Sequence, residues 1–217
     1  MSDKIFGIFG ASGFGREVLP LVRAKYESSN CSIVFVDDNP PSDELNGCRV
    51  LTYQEFKDLG SGDKYISIAI ADARIRELLT ERCINDGFSI FDVSASNAVL
   101  LDAIEIGVGH VLCPFVTITS NVKIGKSFHA NLYSYIAHDC IVGDYVTLAP
   151  SVKCNGNVHI CDGAYIGTGA IIKQGAADKP IIIGKNAVVG MGAVVTKNVA
   201  EGDVVFGVPA KSIKRGK

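Results

Sequence analysis

The sequence predicts a small α/β Rossmann-like domain over residues 1–95, followed by a left-handed parallel β-helix of hexapeptide repeats over residues 96–217. Three observations predict this. Strand-like and helix-like stretches alternate through the first half. A glycine turn, Gly10-Ala11-Ser12-Gly13-Phe14-Gly15, follows the first of those strands. From Val99 onward an aliphatic residue returns at every sixth position, a period that neither a free helix nor a hairpin sheet possesses.

Taken in order, residues 4–9 form a short apolar strand and residues 10–15 the glycine turn. Residues 16–26 carry Val18, Leu19, Val22 and Tyr26 at helical spacing. Residues 32–36 are a β-rich strand ending in Asp37-Asp38. A short helix over 53–59, a strand over 65–70, a helix over 72–86 and a strand over 89–93 complete a β-α-β-α-β-α-β order. That order implies a parallel sheet with helices packed on it.

The second half keeps its own rhythm. The recurring residues are Leu100, Ile106, Leu112, Ile118, Ile124, Ala130, Ile136, Val142, Leu148, Cys154, Ile160, Ile166 and Ile172. Small or β-branched residues recur four positions after them, among them Val116, Val146, Ala164 and Ala170. Such a period fits a three-sided coil of about eighteen residues, whose stacked turns form parallel sheets. Residues 176–180 break the count and are expected to bulge from a corner, after which Ile183, Val189 and Val195 resume it.

Composition limits the functional classes. The chain is 47% hydrophobic and 20% charged with a net charge of −2, so it reads as globular, and a nucleic-acid partner is not expected. No stretch is long and apolar enough to span a bilayer. The start, Met1-Ser2-Asp3-Lys4, lacks the apolar core of a signal peptide. The seven cysteines are scattered without a CxxC pair, which points to reduced thiols in a cytoplasmic protein.

Chemistry concentrates at a few positions. His138 lies two residues after the inward Ile136, where a side chain can leave the prism. An imidazole with a pKa near ~6.5 accepts a proton at neutral pH. Asp139 follows directly and suits the carboxylate that fixes an imidazole tautomer. The glycine turn opens a helix, where backbone N–H groups bind phosphate. Asp37 and Asp38, at the next strand end, suit ribose or a base edge. A domain this small accommodates a mononucleotide better than NAD. His110, His129 and His159 read as surface or contact residues.

With Gly10–Gly15, Val36-Asp37-Asp38, Ile68-Ala69-Ile70, Ile136-Ala137-His138-Asp139-Cys140, Cys154-Asn155-Gly156-Asn157-Val158 and Gly207-Val208-Pro209-Ala210-Lys211 all present, the chain resembles a family over essentially its whole length. It resembles the sialic-acid O-acetyltransferase-like sugar acetyltransferases of the hexapeptide-repeat superfamily, most closely the UDP-4-amino-sugar N-acetyltransferases of the bacillosamine pathway. The resemblance implies a homotrimer with active sites in clefts between neighbouring β-helices. It makes acetyl-CoA the co-substrate and His138 the general base oriented by Asp139. It places Ser12, Gly13 and Phe14 at the sugar-nucleotide phosphates, Asp37 and Asp38 at the uridine, and Ala71 where relatives carry a nucleotide-contacting glycine. For coenzyme A it points to Gly156, Thr168, Gly190 and Met191, with Thr147 where relatives have a second histidine and Asn131 able to reach the site. Phe14 departs from the histidine of close relatives. The basic end Lys211, Lys214, Arg215 and Lys217 reads as solvated or as a partner of the coenzyme phosphate. A zinc site like that of the β-helical carbonic anhydrases needs a histidine five residues after another. Ser134 stands five after His129, so no metal is expected.

The expected function is acetyl transfer from acetyl-CoA to the 4-amino group of a UDP-linked amino-trideoxy sugar, by direct attack without an acyl-enzyme. Two alternatives stay open: O-acetylation of sialic acid or a polysaccharide precursor, and a non-catalytic nucleotide-sugar-binding scaffold.

Overall fold

The structure is a computed structural model describing residues 4–26, 31–40, 42–60 and 62–213. The chain divides into two compact units, Met1–Val93 and Ser94–Lys217.

The first unit runs β1 (Lys4–Phe9), α1 (Gly13–Tyr26), β2 (Cys31–Val36), β3 (Glu44–Leu45), β4 (Cys48–Leu51), α2 (Tyr53–Asp58), β5 (Asp63–Ile68), α3 (Ala73–Asn85) and β6 (Ser89–Ile90). The strand order is β3-β4-β2-β1-β5-β6. The pairs flanking β1 are parallel, and β3 pairs antiparallel with β4. The order reverses between β1 and β5, and the crevice at the carboxyl ends of those two strands is where such sheets take ligands. Phe9, Val36, Phe56, Ile66 and Phe88 belong to its core. Helix α1 buries Val18, Leu19 and Val22, the same residues whose spacing marks it in the sequence. It begins at Gly13, earlier than expected, so Phe14 and Gly15 lie in its first turn.

The β3–β4 hairpin is absent from the expected alternation. Its two-residue turn is Asn46 (φ 50°) and Gly47 (φ 73°). Both central residues need positive φ in this turn, which Asn-Gly supplies cheaply.

The second unit is a parallel β-helix. Coils stack at an eighteen-residue offset, so that Thr117 pairs Tyr135, Tyr135 pairs Lys153 and Lys153 pairs Ile171. Two faces join through the bent strand Thr117–Ile124, which pairs Tyr135–Ile136 at one end and Ile141–Val142 at the other. On the third face His129–Ala130, Thr147–Leu148 and Tyr165–Ile166 stack in turn. Leu112, Ile118, Ile136, Leu148, Cys154 and Ile166 are all buried, as inward positions must be. Leu100 differs: it sits on the end coil and is 46% exposed.

Each coil turns sharply at three corners, and the backbone records this. Asn121, Ser127, Tyr133, Asp139, Tyr145, Ser151 and Asn157 all have φ between 51° and 60°, six residues apart. The left-handed region costs an ordinary L-residue roughly 1 kcal/mol, less for Asn or Asp. Stacking eighteen residues apart builds three columns. The first corner carries Asn121, Asp139 and Asn157, the second Ser127 and Tyr145, the third Phe115, Tyr133 and Ser151. After Ile171–Ile172 a tight loop, closed by mutual Ala176 and Lys179 backbone bonds at 3.0 Å, leaves the first corner. Ile181–Ile183 then pairs Val158–Ile160 and restores the register. Val204–Phe206 and Lys211–Ser212 close the chain as an antiparallel pair. Lys214, Arg215 and Lys217 lie outside the described residues.

Candidate active site

At the first corner His138 and Asp139 both stand about half exposed. His138 Nδ1 and Asp139 Oδ2 are 2.8 Å apart. An ionised carboxylate only accepts, so the shared proton sits on Nδ1 and the Nε2 lone pair is left open. The Asp139 carboxyl is held below the usual carboxylate range, first by the bond from His138 and then by the Asn121 amide. It therefore stays charged wherever an imidazole can act as a base.

Gly156, one coil on, forms the bed for the ring. A Cβ there would lie 2.5 Å from His138 Cε1 and 2.6 Å from Nε2, so only glycine lets the imidazole lie in place. The His138 carbonyl accepts the Asn157 N–H at 3.0 Å, which pins the two coils together. At the second corner the corresponding outward N–H groups are capped: Lys126 N–H donates to Asp144 (2.9 Å) and Asp144 N–H to Asp162 (3.0 Å). The Gly156 N–H has no such acceptor among the described residues, leaving a backbone donor beside the imidazole. Cys140, though near in sequence, is buried. Its sulfur points at the carbonyls of Asn155 (3.3 Å) and His138 (3.6 Å), so it is no nucleophile for this site.

The other expected residues lie elsewhere. Thr168 and Met191 are exposed and Gly190 is buried. Gly192 N–H donates to the Thr168 carbonyl at 2.8 Å, which stacks this group at the third corner. Asn131 belongs to the same corner and donates its side-chain amide to Leu148 O at 3.3 Å. Thr147 is buried on the adjoining face. One chain thus places His138, Asp139 and Gly156 at one corner and Asn131, Thr168, Gly190 and Met191 at another.

In the first unit, Gly10 (φ 107°) ends β1. A Cβ on Gly15 would fall 1.8 Å from the Gly10 carbonyl oxygen, so the turn closes only with glycine. Ser12 is exposed and Phe14 half buried, at the open start of α1. Asp37 accepts the Ala11 N–H (2.9 Å) and the Asn39 N–H (3.0 Å). Asp38 accepts the Tyr53 N–H (2.8 Å) and lies 3.7 Å from Arg82. Both carboxylates therefore hold backbone in place before they meet any ligand. Ala71 is exposed, and its carbonyl accepts from buried Arg76 at 3.0 Å.

Sequence reasoning missed Asn121, whose side chain donates to Asp139 Oδ1 at 3.2 Å. It also missed a cavity of about 710 Å³ beside the loop, lined by Lys173, Lys179 and Lys197 among others. The eighteen-residue coil length was the signal for the first, because it places Asn121 directly over Asp139.

Comparison with known proteins adds to this picture. Residues 5–83 match the PglD N-terminal domain family. The chain is 46% identical over 215 residues, 98% of its own length and 97% of the other, to GDP-perosamine N-acetyltransferase of Escherichia coli O157:H7. Among solved structures, it resembles WeeI from Acinetobacter baumannii AYE with a TM-score of 0.93 and 54% identity, covering 97% of this chain and all of the other. PerB from Caulobacter crescentus, in complex with CoA and GDP-perosamine, superposes with a TM-score of 0.86 at 26% identity, covering 97% of each chain.

Proposed function

This chain belongs to the sugar N-acetyltransferases of the hexapeptide-repeat superfamily, and from that premise we propose that it transfers acetyl from acetyl-CoA to the 4-amino group of a nucleotide-linked deoxy amino sugar, uridine being the nucleotide that the sequence resemblance implies. That it is an acetyl-CoA-dependent N-acetyltransferase acting on a nucleotide-linked amino sugar follows from the relatives. The observation that carries the mechanism is the His138–Asp139 pair lying on Gly156.

In this reading the sugar amine attacks the thioester carbonyl carbon while His138 Nε2 takes its proton. Asp139 stabilises the imidazolium through Nδ1–H. Charge developing on the carbonyl oxygen is met by the Gly156 N–H, a donor fixed in advance by the coil. The tetrahedral adduct then expels coenzyme A as thiolate, which the imidazolium protonates. No acyl-enzyme is formed. Ser12, Gly13 and Phe14 offer first-turn N–H groups of α1 to the diphosphate, and Asp37, Asp38 and Ala71 border the nucleoside. Because the two groups of candidate residues in the β-helix occupy different corners, a complete donor site needs the third corner of a second copy beside the first corner of this one. A trimer supplies that arrangement.

A second reading changes only the nucleotide. The relative matched end to end at 46% identity is named for GDP-perosamine, which favours guanosine. Thiol release from acetyl-CoA, measured with UDP- and GDP-linked 4-amino sugars, decides between them. Turnover with only the guanosine form overturns the uridine assignment. In His138→Ala, kcat should fall by about a thousandfold or more while nucleotide-sugar binding persists; undiminished turnover removes His138 from the mechanism.

A further inference from the structure

We infer that Asn121 is a positioning residue for the acetyl transfer, orienting the Asp139 carboxylate and, through it, the imidazole of His138. The inference rests on the reading of His138 as base. Asp139 uses one oxygen for His138 Nδ1 at 2.8 Å and the other for Asn121 Nδ2 at 3.2 Å. The carboxylate is thus held at both ends, with its plane set by two partners on successive coils. The Asp139 N–H is bound as well, donating to the Ser120 carbonyl at 3.1 Å. Asn121 stands at φ 58°, and Asp139 below it at φ 57°. Matching left-handed corners direct both side chains outward in one column. With Asn121 removed, Asp139 keeps one side-chain partner and is free to turn about its χ angles. Misplacement of a reacting group by a fraction of an ångström already lowers rate.

The amide also has an electrostatic role. It draws charge from the carboxylate, so Asp139 is a weaker acceptor towards the imidazolium than it would be alone. Loss of Asn121 should tighten the hold of Asp139 on the protonated ring and move the acid limb of kcat/KM to higher pH, and a carboxylate in its place should move it further. Other charged or titratable side chains on this and the neighbouring coils include Asp102, whose residue pairs with Ser120, the Lys123–Glu105 ion pair at 3.0 Å, His159, whose residue pairs with Ile141, Tyr135 and Lys153, whose residues pair with each other, and buried Cys140. Of these, Cys140 reaches only the backbone carbonyl of His138, at 3.6 Å, and the two carboxylate oxygens of Asp139 are taken by His138 and Asn121.

The test is the pH dependence of kcat/KM in Asn121→Gly and Asn121→Asp, both of which tolerate positive φ. Asn186→Gly, at another corner with φ 53°, controls for the loss of a corner asparagine. In Asn121→Gly we expect kcat down about fivefold, KM for acetyl-CoA unchanged, and the acid limb moved up by about half a pH unit. Asn121→Asp should move the limb further in the same direction, and Asn186→Gly should leave both unchanged. An unmoved limb and unchanged kcat in Asn121→Gly, with His138→Ala inactive, overturn this inference alone. Full turnover in His138→Ala overturns the reading beneath it.

Discussion

At the residue scale, the site depends on what is missing from Gly156 as much as on what His138 carries. A single methyl there would overlap the imidazole at 2.5 Å. Gly156→Ala is therefore expected to tilt the ring away and lower kcat by about a hundredfold, with the circular dichroism of the β-helix retained. Wild-type kcat in a folded Gly156→Ala protein would show that the ring's place is immaterial. The dyad was legible in the sequence because two adjacent residues with acid–base chemistry follow an inward position. Asn121 was not, because its relation to Asp139 exists only through the coil. The backbone role of Asp37 and Asp38 was hidden for a similar reason: a strand-end carboxylate reads as a ligand contact, yet here the two satisfy Ala11, Asn39 and Tyr53 N–H groups.

At the scale of elements, the glycine turn and the Asp37 bend form one device. Asp37 bonds the Ala11 N–H, Gly10 N–H reaches Val36 O at 2.8 Å, and Gly15 admits the turn's close approach. Asp37→Ala should loosen this turn and raise KM for the sugar nucleotide by about tenfold, with kcat nearly unchanged, as steady-state kinetics would register. A fall in kcat with KM intact would place the turn outside nucleotide binding. The hexapeptide strands were readable because an inward face imposes a period that no other architecture shares. The β3–β4 hairpin escaped because β3 has only two residues, too short for any alternation, although Asn46-Gly47 marked its turn. Helix α1 was placed late because glycines at its start weaken the helical signal while leaving the geometry intact.

At the scale of the molecule, the proposed mechanism, with its candidate residues divided between two corners, makes assembly part of the chemistry. If donor groups come from the third corner of another copy, then His138→Ala and Thr168→Tyr chains, each inactive alone, should regain partial activity when refolded together. Mixtures that stay inactive would return the site to one chain. The sequence disclosed the corners only as a period; which corner faces which copy is a matter of surfaces, and surface chemistry has no periodic signature. One feature of the stack bears on how such an enzyme fails. His138 belongs to the column that descends from Asp102 through Ser120 to Gly156, with ordered coils on both sides. In a linear array each coil is stabilised by its neighbours, and a terminal coil has only one. The His138–Asp139 pair therefore rides inside the spring, and warming is expected to uncover the outermost windings before it disturbs that pair.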